Sequence, residues 1–121
     1  MINRVDVVSI PVSDQDRAKA FYRDKLGFME LSDTPMGDGM RWVQLSPPGS
    51  ATSVTLVTWF DSMPAGSLRG LVLDTTTLDA DVKELKRKSV EMSPIEEQPW
   101  ARFVTFTDPD GNGLILQQRS A

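Results

Sequence analysis

Carboxylates are the side chains in this sequence best able to act as acids, bases or metal ligands, because its 121 residues contain no histidine and no cysteine. That absence excludes histidine-ligated metals, catalytic triads, thiol nucleophiles and disulfides. Glu30, Asp74 and Glu97 are carboxylates that could reach a cleft. The sequence gives none of them a partner, so it supports no particular acid–base reaction.

One acidic cluster matches the first half of a calcium-binding loop, with Asp108, Asp110 and Asn112 followed by Gly113. The twelfth position of that loop is Arg119 instead of a bidentate glutamate, and both flanking segments are predicted to be strands. A hairpin turn is therefore the better interpretation, since Gly111 and Asn112 both tolerate positive φ.

The net charge of −4 comes from seventeen acidic and thirteen basic residues. The basic residues are scattered, apart from a run at 86–88 at one predicted helix end, so nucleic acid and anionic membranes are poor partners. No window approaches the ~18 apolar residues of a membrane span, and the N-terminal residues contain no apolar run preceded by basic residues, so we expect no signal peptide. We expect a cytoplasmic protein, and the lack of cysteine fits a reducing compartment.

Hydrophobic periodicity predicts two helices among short strands. Ser13 caps the first helix, which ends at Gly27, and Thr77 caps the second. Apolar or alternating runs predict strands at 5–12, 28–32, 41–45, 53–59, 68–73, 101–107 and 113–118, with shorter strands before residue 101.

The same order of elements occurs twice, at an offset of about 61 to 63 residues. Arg41-Trp42-Val43 and Pro48 match Arg102-Phe103-Val104 and Pro109. The sequence therefore predicts one α+β domain made of two tandem βαβββ modules, residues 1–59 and 68–121, joined by a linker at 60–67.

Two sets of motifs resemble the vicinal oxygen chelate superfamily, which includes glyoxalases, extradiol dioxygenases and bleomycin-resistance proteins. The first set is Val12-Ser13-Asp14, Arg17-Ala18, Phe21-Tyr22 and Leu26-Gly27-Phe28, and the second is Pro99-Trp100 and Asp108-Pro109-Asp110-Gly111-Asn112. The resemblance implies that the modules form a cupped, mostly antiparallel sheet and that two chains pair as a homodimer.

The resemblance also implies four metal-ligand positions, one on the first strand and one on the last strand of each module. They fall on Val7, Thr55, Gly70 and Ile115, and none of these residues donates a strong ligand. We therefore expect the metal-free branch that resembles bleomycin-resistance proteins, with no cofactor.

Strand alternation then assigns a cleft face and a core face. The core face carries Val8, Ile10, Val12, Leu56, Leu71, Leu73, Leu114 and Leu116, and Val43, Leu45, Val104 and Phe106 are placed with it. The cleft face includes Ser53 and Gln117. The predicted ligand-binding residues are Trp42, Gln44, Thr55, Trp59, Trp100, Phe103, Thr105 and Ile115.

Aromatic, small apolar and hydroxyl side chains without an acid–base pair are typical of a binding site. The leading hypothesis is a protein that sequesters a planar, partly apolar small molecule, such as an antibiotic. The alternatives are a glyoxalase- or dioxygenase-like enzyme with a non-standard site, and an accessory protein without a ligand.

Overall fold

The computed structural model of the protein describes residues 1–120, which form two four-stranded sheets and two α-helices. Residue 121, the end of the predicted second module, lies outside the described residues. The first sheet contains β1 (Val7–Pro11), β2 (Met29–Gly37), β3 (Met40–Ser46) and β4 (Ser53–Val57), and the second contains β5 (Leu71–Asp74), β6 (Glu96–Gln98), β7 (Ala101–Thr107) and β8 (Gly113–Arg119). The helices are α1 (Gln15–Ala20), which continues as a π-helical segment (Phe21–Lys25), and α2 (Leu78–Arg87).

The two sheets have the same mixed topology, β1-β4-β3-β2 and β5-β8-β7-β6. In each, the first and last strands pair in parallel and the other pairs are antiparallel. Thr55 lies between Ser9 and Gln44 in the first sheet, as Ile115 lies between Val72 and Thr105 in the second. The predicted α+β class with two βαβββ units is confirmed.

Along each strand, side chains alternate between the two faces of the sheet as the sequence predicted. One face of each sheet packs against the helices, and we call the opposite one the distal face. The helix faces contribute to one hydrophobic core with Ala18, Phe21 and Tyr22 of the first helical segment and Leu78, Val82 and Leu85 of α2. The strand residues in that core are Ile10, Val43, Leu45, Val54, Leu56, Val104, Phe106, Leu114 and Leu116.

The cap of α1 differs from the prediction. Asp14, not Ser13, occupies the N-cap, and its carboxylate accepts a hydrogen bond from the Arg17 backbone N–H. Ser13 is drawn away because its hydroxyl donates to the Asp110 carboxylate, 2.5 Å distant. Thr77 does precede α2, but its side chain makes no capping bond and donates to Asp81 instead.

Several strand limits also differ from the prediction. The first strand begins at Val7 instead of Val5, and the fourth ends at Val57, two residues before Trp59. β5 begins at Leu71 instead of Leu68, because Gly70 takes a positive φ of 75°. β2 runs to Gly37 through a proline, which an edge strand tolerates.

The halves meet where the loop after β1 contacts the turn at residues 108–112. The Tyr22 hydroxyl donates to the buried Asp108 carboxylate at 2.8 Å, and the Asn112 side-chain amide donates to the Pro11 carbonyl at 2.8 Å. The Gly66 N–H also donates to the Pro11 carbonyl. Gly66 has φ +83°, and a Cβ there would lie 2.1 Å from the Asp110 carbonyl oxygen, so glycine is required.

Candidate ligand-binding site

The distal face of the first sheet carries a chain of hydrogen bonds that starts at Trp42. The indole Nε1–H donates to the Gln44 side-chain oxygen at 2.9 Å, and the Gln44 amide nitrogen donates to the Ser53 hydroxyl at 2.7 Å. Trp42 and Gln44 are two residues apart on β3 and therefore project from the same face. This face presents a half-buried indole whose polar edge already has a partner.

The two other predicted site residues of the first half, Thr55 and Trp59, lie in different environments. Thr55 is only 1% exposed, and its hydroxyl donates to the Val43 carbonyl at 3.1 Å. Its side chain is therefore buried and already hydrogen-bonded within the first sheet. Trp59 lies beyond the end of β4, half-buried, with its ring centroid 6.1 Å from that of Phe60.

The distal face of the second sheet is assembled from β7 and β8. Phe103 pairs with Gln117, and Thr105 pairs with Ile115, so all four side chains share this face. Phe103 and Ile115 are half-buried, whereas Thr105 is exposed. Within residues 1–120, the Thr105 hydroxyl and the Gln117 side-chain amide make no hydrogen bond, and the face therefore offers free polar groups beside an aromatic ring.

Thr105 and Ile115 also line an open groove of about 640 Å³. Its other lining residues lie between positions 69 and 114, with Gly70 and Met92 among them, so this groove belongs wholly to the second half. Trp100 is 67% exposed in the turn between β6 and β7, and it does not cover the core.

The predicted site residues thus form two groups, one on each sheet. Trp42, Gln44 and Thr55 share the distal face of the first sheet, and Phe103, Thr105 and Ile115 share that of the second. The equivalence of Trp42 and Phe103 predicted from the duplication follows directly from the paired registers. The groove beside the second group contains no residue of the first group.

The carboxylates considered for acid–base work do not form a pair. Glu30 forms an ion pair with Lys19 at 2.6 Å, and Glu97 forms one with Arg102 at 3.2 Å. By their strand register both side chains lie on helix faces. Asp74 does lie on the distal face, where Arg119 is 3.8 Å away.

The most strongly shifted carboxylate lies on the helix side of the first sheet. Two hydrogen bonds from the Arg41 guanidinium and one from the Lys19 ammonium hold the pKa of Asp33 well below its usual range. Burial, together with the charge of the Asp108 carboxylate that accepts its hydrogen bond, raises the pKa of the Tyr22 phenol. Both groups hold elements together and lie away from the distal faces.

The four positions that correspond to family metal ligands do not fit a metal ion. Val7 and Ile115 offer hydrocarbon, Gly70 has no side chain, and the Thr55 hydroxyl already donates to a backbone carbonyl. No three acidic side chains converge anywhere in the described part of the chain.

The turn at 108–112 joins β7 to β8 as the predicted hairpin. It also contacts the first half of the molecule. The Asp108 carboxylate accepts from the backbone N–H groups of Asp110 and Asn112, from the Asn112 amide and from Tyr22. Gly111 has φ 94°, and Asn112 has no positive φ. Its side chain bridges the two halves instead.

Sequence reasoning placed Ser53 and Gln117 on the cleft-facing strands but omitted them from the site. Ser53 accepts from Gln44 in the hydrogen-bond chain from Trp42, and Gln117 lies opposite Phe103. Their alternation with core residues was visible in the sequence, but their hydrogen-bond partners depend on cross-strand register.

Among residues 1–120, no helix has the length and apolar character needed to span a membrane.

Two βαβββ units, each with a helix on one face of a mixed sheet and an aromatic on the other, define the class of protein. Residues 4–116 match the Glyoxalase/Bleomycin resistance protein/Dioxygenase superfamily. The chain belongs to this superfamily, and its fold is the vicinal oxygen chelate fold.

Three proteins illustrate the similarity. The crystal structure of TnmS3, an antibiotic binding protein from Streptomyces sp. CB03234, is 47% identical, covers 98% of each chain and superposes with a TM-score of 0.94. A superfamily member from Sphaerobacter thermophilus is 36% identical over 97% of this chain and 98% of its own, with a TM-score of 0.89. The YurT protein of Bacillus subtilis is 40% identical over 96% of this chain and 99% of its own.

Proposed function

We propose that the protein binds and sequesters a planar, partly apolar small molecule between aromatic side chains of its distal faces, without a metal ion. The observation that carries this proposal is the placement of Trp42 and Phe103 at equivalent positions on these two faces, each aromatic beside a polar residue. An aromatic contact contributes about 0.5 to 1.5 kcal/mol beyond area burial, which suits a flat ligand.

The similarity to TnmS3 supports the same class of activity. A protein that binds an antibiotic and is 47% identical along nearly the whole chain makes sequestration of an antibiotic-like molecule the favoured role. The absence of a paired acid and base among Glu30, Asp74 and Glu97 supports binding over catalysis. The predicted site remains Trp42, Gln44, Thr55, Trp59, Trp100, Phe103, Thr105 and Ile115.

We propose that the working form is a homodimer in which the distal faces of two copies complete each site. Exposed apolar side chains along β2 and on the second distal face support this assembly. Met29, Leu31 and Met36 of β2 are exposed, and Val72 of β5 is 47% exposed. Edge strands with apolar side chains invite pairing with another chain, and a second copy under twofold symmetry is the commonest partner. The lack of cysteine supports a reducing, cytoplasmic location.

The test is a binding measurement with Trp42→Ala and a panel of planar aromatic compounds that includes neutral acridine. We expect acridine to quench tryptophan fluorescence in the parent and to bind severalfold more weakly to Trp42→Ala, whose melting temperature stays close to the parent's. A tryptophan buried in the core would instead cost about 3 to 5 kcal/mol of stability on truncation. Strong destabilisation of Trp42→Ala, or a parent that binds no member of the panel, would contradict the proposal.

The same samples test the metal and the dimer. Prolonged dialysis against EDTA should leave acridine affinity unchanged, and light scattering should give twice the mass of one chain. Loss of binding on chelation with recovery on adding a divalent metal would overturn metal independence. A monomer at micromolar concentration would overturn the shared site, and turnover of a panel member would favour the enzyme alternative.

A further inference from the structure

The indole of Trp42 has its orientation fixed by a hydrogen-bond chain, and within residues 1–120 no other aromatic side chain of the distal faces has one. An indole N–H can only donate, so the group that meets it at 2.9 Å must be the Gln44 oxygen. The Gln44 nitrogen must then face Ser53, whose hydroxyl accepts at 2.7 Å. The Ser53 hydroxyl donates in turn to the Asp6 carbonyl at 3.4 Å. Because the indole N–H can only donate, it determines which way the Gln44 amide and the Ser53 hydroxyl are oriented.

We propose that Gln44 is a positioning residue that fixes the Trp42 indole for ligand stacking. This inference rests on the proposed function. The oxygen and the nitrogen of the Gln44 amide each already have one partner, Trp42 and Ser53, and Ser53 is only 5% exposed. A ligand that displaced either partner would leave it without its hydrogen bond, so the first sheet itself holds both amide atoms in place.

The chain also defines what the first distal face can recognise. Because the indole N–H is satisfied internally, Trp42 presents only its ring surface to a ligand. The part of the ligand placed there is an aromatic ring recognised by stacking and shape. Hydrogen-bonding atoms of the ligand are met by the second distal face, where the Thr105 hydroxyl and the Gln117 amide make no hydrogen bond within residues 1–120. The ligand class is a molecule with one flat apolar end and one polar edge.

The mobility of the indole tests the positioning role without any ligand. Trp59→Phe and Trp100→Phe leave Trp42 as the single tryptophan, and time-resolved fluorescence anisotropy then reports its motion. We expect no fast nanosecond component in this background and a clear one after Gln44→Met, which keeps side-chain length but removes both hydrogen bonds. Gln44→Glu keeps oxygens that accept from both Trp42 and Ser53, so it should keep the indole immobile. Gln98→Met, the same change at an exposed glutamine of β6, is the matched control and should change nothing.

Acridine binding to protein that retains all three tryptophans tests whether the fixed orientation matters. We expect Gln44→Met to bind severalfold more weakly and Gln44→Glu to bind like the parent. Ser53→Ala, which removes the far end of the chain, should act in the same direction as Gln44→Met and replaces it if that variant does not fold. An immobile indole in Gln44→Met, or a Gln44→Glu variant as weak as Gln44→Met, overturns the inference.

The two proposals can fail separately. If the parent binds acridine and Gln44→Met mobilises the indole with unchanged affinity, sequestration stands and the positioning role is wrong. If the parent binds no member of the aromatic panel, the proposed function fails, and the ligand assignment made here fails with it. The anisotropy comparison still decides whether Gln44 fixes Trp42.

Discussion

Two arginines at equivalent positions of the duplicated sequence make the same contact in different surroundings. Arg41 joins Asp33 of β2, at 2.6 Å, to Asp16 just inside α1, at 2.9 Å. Arg102 joins Glu97 of β6, at 3.2 Å, to Asp79 just inside α2, at 3.0 Å. The side chain of Asp33 is 18% exposed, whereas that of Glu97 is 73% exposed. The repeated sequence therefore reproduces the arginine–carboxylate contact. How far solvent and salt weaken each contact depends on how deeply that contact is buried.

The turns that precede the last strand of each half show a second divergence. Backbone bonds close both turns in the same way, from Ser50 to the Pro47 carbonyl at 3.1 Å and from Gly111 to the Asp108 carbonyl at 3.0 Å. The first turn has a proline where the second has Asp108, and only the aspartate reaches into the other half to accept from Tyr22. One copy of the turn closes a hairpin, and the other also joins the two halves.

The largest effect should therefore come from this second turn. Asp108→Ala removes the acceptor of four hydrogen bonds and leaves the buried Tyr22 hydroxyl and the Asn112 amide without it. Each unsatisfied buried donor costs about 1 to 3 kcal/mol, so the free energy of unfolding should fall by about 3 kcal/mol or more. Urea denaturation measures this loss. Pro47→Ala is the matched control and should cost about 1 kcal/mol or less, and equal losses in the two variants would show that the turns are equivalent.

Acid sensitivity should separate the two arginine contacts next. The pKa of Asp33 is lowered in the folded protein by Arg41 and Lys19, so its stabilising effect is complete above the unfolded value of about 4 and is lost as the pH falls below it. Thermal melts at decreasing pH should show a shallower acid-dependent fall in Asp33→Asn than in the parent. The pKa of Asp79 is also lowered, but its side chain is exposed, so Asp79→Asn should change the profile less and the difference should shrink in salt. Identical acid profiles for both variants would mean that burial does not distinguish the contacts.

The sequence predicted the repeated architecture well because alternation and helical spacing are local patterns. Val43, Leu45, Val104 and Phe106 were assigned to the core from parity alone, and all four are buried there. The wrong helix-cap prediction at Ser13 is explained by a hydrogen bond to a residue distant in the sequence. Ser13 has the chemistry of a helix cap, but Asp110, 97 residues away, captures its hydroxyl.

The sequence predicted which sheet face each candidate site residue lies on. It did not predict which side chains contact one another. Trp42 and Gln44 were correctly placed on one face because they are two residues apart on a strand. That their polar atoms bond each other depends on rotamers that no spacing rule specifies. Thr55 was predicted as a lining residue, but between Ser9 and Gln44 on the adjacent strands it is only 1% exposed. Whether these residues contact a ligand stays a prediction.

The smallest expected effect concerns the aromatic pair itself. Trp42 has an N–H that requires an acceptor, and Gln44 supplies it, whereas its counterpart Phe103 has no such group and Thr105 is left unbonded within residues 1–120. Trp42→Phe and Gln44→Thr convert the first face into the chemistry of the second. If the hydrogen bond stabilises the face, the two changes should not be additive.

A double-mutant cycle in urea measures that coupling. Because the Trp42–Gln44 bond lies on a half-buried face, we expect a coupling energy of about 0.5 to 1 kcal/mol, in the lower part of the range for neutral hydrogen bonds. The matched cycle with Phe103→Leu and Thr105→Val should give about 0.3 kcal/mol or less, since no hydrogen bond joins that pair. Coupling of the same size in both cycles would mean that ordinary side-chain packing, which both pairs share, accounts for it. Coupling in the first cycle alone would show that the two copies of this β3 and β7 segment have diverged into a fixed aromatic surface and a face with free polar groups.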